Sequence, residues 1–192
     1  MRNTIIKMIF ILIVLVSFTP LLSAEDSRII PLDMYLIIDG SESFQNSKNE
    51  AVAWINSQVV ERILIDGDKL TVWTAGNSYS QVYSGTIAGS GEKREIREKL
   101  QALTVSGKTA DFSGALRDAA SAASRTPQDR LSYTMLITAS AEGLEGAITG
   151  SSGGLLKWFR SEKYERWQVL IVATEIAPKV REAAASYMSS IR

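Results

Sequence analysis

Apolar positions along this chain fall into two kinds of run, and their spacing predicts its elements. In residues 33–38 the stretch Met34-Tyr35-Leu36-Ile37-Ile38 is apolar at consecutive positions. Unbroken apolarity marks a strand buried on both faces, as in a parallel sheet covered by helices. In residues 47–63, Val52, Ile55, Val59 and Ile63 recur at offsets of three and four, one stripe of an amphipathic helix. Asp66-Gly67-Asp68 predicts a turn. Residues 69–75 and 80–87 are β-rich runs on either side of Gly76-Asn77-Ser78, which predicts an antiparallel hairpin at one edge of a sheet. A charged helix over 92–103 turns Ile96, Leu100 and Leu103 inward. An Ala-rich helix over 112–124 follows, its small side chains suited to close packing on a sheet. After Pro127-Gln128-Asp129, residues 133–138 predict a central strand. Residues 139–154 read as a Gly- and Ser-rich loop, 155–163 as a short helix and 167–173 as the last strand. A final helical stripe of Val180, Ala184, Tyr187 and Ile191 follows Pro178. Strands alternating with helices predict a three-layer α-β-α sandwich on a mostly parallel sheet with an antiparallel edge strand.

The two ends of the chain stand outside that pattern. Arg2 and Lys7 precede an apolar run from Met8 to Val16, then Pro20 and the small residues Ser23 and Ala24. This is the layout of a secretory signal peptide, with an apolar core short for a membrane span. It divides the chain into a signal peptide at 1–24 and one domain at 25–192, preceded by a short polar lead at 25–32. The alternative is an uncleaved N-terminal anchor. Without residues 1–24 the chain carries 19 basic and 21 acidic residues, a net charge of −2. That balance points to neither nucleic acid nor an anionic membrane as partner. Cys and His are both absent, which excludes disulfides, thiolate and imidazole metal ligands, Cys nucleophiles and Ser-His-Asp triads.

Three stretches carry candidate chemistry. Gly107-Lys108-Thr109 resembles the end of a phosphate-binding loop, but position 102 is Ala where that loop needs Gly, and a helix rather than a strand precedes it. Gly150-Ser151-Ser152-Gly153-Gly154 matches a nucleophile elbow in letters, yet no strand leads into it and no His can serve as base. The third is Asp39-Gly40-Ser41-Glu42-Ser43, where the first buried strand gives way to a helix. Ligands bind at that end of a strand in open α/β sheets, and three oxygen side chains at i, i+2 and i+4 suit a small hard cation. The simpler reading of the same residues is a turn in which Asp and Ser cap the helix.

Asp39-x-Ser41-x-Ser43, with Thr109 some seventy residues later before an Ala-rich helix, resembles the von Willebrand factor type A domain and its metal-ion-dependent adhesion site. From residue 33 onward the element order is similar too. The resemblance implies a Rossmann-like fold in which Asp39 and the hydroxyls of Ser41, Ser43 and Thr109 surround Mg²⁺, or Mn²⁺ or Ca²⁺ in its place. A carboxylate from a protein partner would complete the shell, giving adhesion or assembly rather than catalysis, in a periplasmic or extracellular setting.

The chain departs from that family at two places. The family's third loop carries an Asp where this chain has Ala139, so the site keeps one assured carboxylate, and ion affinity follows ligand charge. Asp111 is counted among the metal-site residues because it could compensate from the same end of the sheet, as could Glu142 or Ser140. The chain also lacks a recognisable sixth strand, unless one lies within 143–150. Two other functions stay open: a metal-assisted hydrolase using Asp39 and Asp111, and a structural subunit of an envelope assembly with a vestigial site, for which an exposed Trp158 or Trp167 would speak.

Overall fold

The computed structural model describes residues 28–139 and 167–173. Its centre is β1 (Leu32–Asp39), all eight residues of which are buried. Two-sided burial is what the unbroken apolar run demands: Met34, Leu36 and Ile38 enter one core, while Tyr35 and Ile37 enter the other. The remaining strands are β2 (Lys69–Ala75), β3 (Tyr79–Thr86), β4 (Leu131–Thr138) and β5 (Trp167–Ala173). They lie in the order β3-β2-β1-β4-β5. β1 is parallel to β2 and β4, β4 is parallel to β5, and among the described residues only the β2–β3 hairpin is antiparallel. The chain therefore builds outward from β1 on one side and then returns to build on the other. That reversal leaves a crevice beyond the carboxyl ends of β1 and β4, where open α/β sheets bind ligands.

Helices cover both faces. On one, α1 (Lys48–Trp54) and α2 (Ser90–Gln101) bury Val52, Ile96 and Leu100 against Leu36, Val72 and Met135. On the other, α3 (Phe112–Ala123) lays Ala115, Ala119 and Ala120 over Ile37, Trp73 and Leu136. Methyl-sized contacts let this helix sit close to the sheet, as its composition predicts. α1 differs from the single stripe expected over 47–63, because it widens into a π-helical stretch at Ile55–Val60. The extra residue per turn carries the paired Val59-Val60, and after them Ile63-Leu64, into the core.

The stretch before β1 is not a simple polar lead. Arg28 is buried and its guanidinium pairs with the fully buried Asp68, with Nη1 to Oδ1 at 3.0 Å. Asp68 also accepts from the backbone N–H groups of Leu32 at 2.8 Å and Ile65 at 2.9 Å. The 66–68 turn, with Gly67 at φ 92°, thus carries a carboxylate that ties β1's start to the helix before it. Trp167 is buried, and its indole N–H donates to Thr134 Oγ1 at 2.7 Å. It is a core residue, which removes it as a sign of an interface. Residues 1–24, Trp158, Glu142, Ser140, the 150–154 loop, any strand in 143–150 and the helices expected at 155–163 and 180–191 lie outside the described residues. Among the described residues no helix is long and apolar enough to cross a membrane.

Candidate metal and partner-binding site at the carboxyl end of the sheet

Asp39 is the last residue of β1 and is 3 % exposed. Oδ1 accepts from the backbone N–H of Ser41 at 2.8 Å and from Ser41 Oγ at 2.5 Å. Oδ2 accepts from Thr138 Oγ1, at the end of β4, at 2.7 Å. Ser41 Oγ lies 2.8 Å from Ser43 Oγ. These contacts bear on the capping part of the simpler reading. Ser41 precedes a short 3-10 turn (Glu42–Phe44) and Ser47 precedes α1, yet neither side chain caps its helix. The Asp39 and Ser41 side chains bond to each other instead.

The spacing of the two hydroxyls has a chemical meaning. An octahedral Mg²⁺ with oxygens at 2.0–2.1 Å has adjacent ligands about 3 Å apart, so Ser41 and Ser43 already sit close to the edge of such a shell. Asp39 stands behind them, and Ser43 is exposed. The Ser43 hydroxyl is thus the outermost of the three, linked through the buried Ser41 to the carboxylate.

Backbone contacts join a second loop to the first. Glu42 N–H donates to the Gly107 carbonyl at 2.7 Å, while the N–H groups of Ser106 and Gly107 both donate to the Gly40 carbonyl at 3.1 Å. The approach is so close that a Cβ on Gly107 would lie 2.6 Å from Asn77 N. That close approach accounts for a glycine at this position. The turn of the β2–β3 hairpin closes the third side: Gly40 N–H donates to Ala75 O and Asp111 N–H to Gly76 O, each at 2.8 Å. Asn77 Oδ1 accepts from Lys108 N at 2.8 Å and Thr109 N at 3.4 Å.

Of the five residues singled out in the sequence, hydrogen bonds bring Asp39, Ser41 and Ser43 together. Thr109 is exposed on the adjoining loop, held there through its backbone. Asp111 caps α3, its Oδ1 accepting from Gly114 N at 2.9 Å, so one of its oxygens is engaged in the helix terminus. Ala139 is buried just beyond Thr138. Among the described residues no three Asp, Glu, His or Cys side chains group as metal ligands. Two contributors escape sequence reasoning. Thr138 supplies a hydroxyl to Asp39 from a strand 99 residues away, and Asn77 pins the loop that carries Thr109. The one hint was the position of Asn77 in a hairpin turn.

No protein-family model matches this chain, and no curated protein does. Solved structures do match. A von Willebrand factor type A protein from Catenulispora acidiphila aligns at TM-score 0.55 and 16 % identity, covering 84 % of this chain and 43 % of its own. The manganese-loaded Plasmodium vivax TRAP protein aligns at 0.55 and 18 %, covering 81 % and 63 %. The conserved hypothetical protein BatB from Bacteroides thetaiotaomicron aligns at 0.58 and 13 %, covering 83 % and 98 %. The chain spans less than two thirds of the first two and nearly all of the third. With its strand order, its two helical layers and Asp39 at the end of its first strand, the chain has the von Willebrand factor type A fold.

Proposed function

We propose that this chain is an exported, non-enzymatic binding module that engages a protein partner through the loops around Asp39, Asn77 and Thr109. A divalent ion, Mg²⁺ or Mn²⁺ (Ca²⁺ being a looser alternative), is held by Ser41, Ser43 and Thr109 with Asp39 behind them. An acidic side chain of the partner supplies a further oxygen. The observation that carries this reading is the 2.8 Å spacing of the Ser41 and Ser43 hydroxyls, fixed by Asp39. The manganese in the similarly folded Plasmodium vivax TRAP protein supports it. Ala139 leaves the site one carboxylate short, with Asp111 adding charge only from the neighbouring loop, so ion binding is weak. A partner carboxylate then supplies a large share of the charge the ion needs, which couples ion and partner binding.

The chemistry also favours binding over hydrolysis. Both oxygens of Asp39 are already engaged as acceptors, in three hydrogen bonds from protein groups. A hydrolase would need Asp111 as a second metal ligand, and its Oδ1 is engaged in capping α3.

Thermal unfolding of the mature chain tests the ion. A ligand at ten times its Kd stabilises by about 1.4 kcal/mol, or roughly 3–5 °C for a domain of this size. Millimolar Mn²⁺ should give such a rise in wild type and none in Asp39→Ala. Equal wild-type midpoints with Mn²⁺ and with chelator, or the same Mn²⁺-induced rise in the variant as in wild type, would remove the ion from this proposal and leave the fold untouched. Phosphoester turnover lost in Asp39→Asn would establish an enzyme instead. Export is checked separately by N-terminal sequencing of protein recovered from outside the cytoplasm, which should begin at Glu25.

A further inference from the structure

At the opposite end of the sheet from Asp39 lies a recess of about 370 Å³ lined by strands β1, β2 and β3 and by the end of α3. It arises because α3 stops at Ala123 while the strands beneath it continue. The register places two polar rows across its floor: Asp33 with Lys69 and Thr86, and Tyr35 with Thr71 and Ser84. Above these rows the same face is apolar, with Ile37, Trp73 and Ala75 packed under the helix.

The charges in the recess do not balance. Asp33 is already satisfied: Oδ1 accepts from Arg130 Nε at 2.6 Å and Oδ2 from Thr126 Oγ1 at 3.2 Å. The other two charged linings are Lys69 and Arg125, and among the described residues neither forms an ion pair. The hydroxyls of Thr71 and Ser84 lie 3.2 Å apart. They share one hydrogen bond, which leaves the second hydroxyl proton available to a ligand. Tyr35 forms the wall, its own hydroxyl 3.1 Å from Thr126 Oγ1.

We propose that this recess binds a small oxyanion, a carboxylate- or phosphate-bearing molecule, clamped between Lys69 and Arg125 and oriented by the Thr71–Ser84 hydroxyls. Two cations flanking hydroxyl donors suit such a group, since charge-assisted hydrogen bonds to it are the strong ones and Arg can present two at once. The volume suits a molecule rather than a polymer. This site is independent of the Asp39 site and does not rest on the function proposed for it.

Amide chemical-shift titration of the mature chain with inorganic phosphate and, separately, citrate tests the proposal. Saturable shifts confined to residues 69–71, 84–86 and 122–125 are expected. Saturation with phosphate alone identifies a phosphate site, and with citrate alone a carboxylate site. Lys69→Gln/Arg125→Gln should weaken binding at least about tenfold. Thr71→Glu, which keeps both cations but places a carboxylate between them, should abolish it. Asp39→Ala should leave it unchanged. Linear shifts with both anions, or the same saturation in wild type and both lining variants, would overturn the proposal.

Discussion

Asp39 keeps its carboxylate away from bulk water among hydroxyl and backbone donors. Burying that charge is costly, while each of its three hydrogen bonds returns part of the cost. Which effect dominates is decided by what the donors do when the carboxylate goes. Ser41 N–H is buried, and Asp39 is the acceptor it has lost water to reach. Removing the acceptor should therefore destabilise the protein in the absence of metal. Asp39→Ala is expected to cost about 1–3 kcal/mol in urea unfolding, with an unchanged denaturant slope. Asp39→Asn should cost less, because a serine or threonine hydroxyl can rotate to accept from the new amide. The motif itself was legible at the residue scale, since an oxygen side chain at i, i+2 and i+4 after an apolar run is a local pattern. Thr138 was not, because nothing local marks one strand-end hydroxyl out from another.

At the scale of elements, the candidate site is a junction of three loops whose partners are mainly backbone groups. Carbonyls of Gly40, Gly76 and Gly107 accept from loops that are distant in sequence. Glycine lets those backbones approach, which explains a Gly107-Lys108-Thr109 run that resembles a phosphate loop only in letters. The hairpin turn contributes most through Asn77. Its contacts to Lys108 and Thr109 are exposed, so water can replace them and the stability cost of Asn77→Ala should be below about 1 kcal/mol. The loop carrying Thr109 should nevertheless loosen. Hydrogen exchange at Lys108 N–H should speed up several-fold, and the midpoint rise produced by Mn²⁺ should shrink. A variant with unchanged exchange at Lys108 would show that the backbone contacts of Gly107 suffice. The widening of α1 belongs to this scale as well. The stripe of Val52, Ile55, Val59 and Ile63 predicts the helix, while the π-helical stretch answers to packing against the sheet.

For the molecule as a whole, the two ends of the sheet differ in chemistry. The carboxyl end presents hydroxyls over one buried carboxylate, whereas the opposite end holds the Arg28–Asp68 and Arg130–Asp33 pairs. The latter network reaches Tyr35, whose phenol is pushed above its ordinary 10.0, chiefly by burial and with Asp33 adding to the shift. The hydrogen bond to Thr126 and the charges of Arg125 and Arg130 act the other way. Burial raises Tyr83 in the same manner. A phenol whose pKa is higher in the folded protein favours folding fully below pH 10.0, and that contribution is lost as pH rises through the raised folded value. Stability should accordingly fall above about pH 10. Tyr35→Phe should flatten part of the decline, as read from urea midpoints between pH 9 and 11; an unaltered slope would assign the loss to other groups.

Periodicity and composition were enough to specify the layers of this protein, because burial on one or two faces is written directly into the order of apolar residues. They also located Asp39, Ser41 and Ser43, whose relation is local, and they ruled out thiol and imidazole chemistry outright. The remaining features depend on contacts between residues far apart in the chain: the support of Asp39 by Thr138, the anchoring of the Thr109 loop by Asn77, the Arg28–Asp68 pair and the cationic recess below α3. Such contacts follow from strand order and register. A sequence constrains these through the summed energy of the whole fold, and no short stretch of it encodes them.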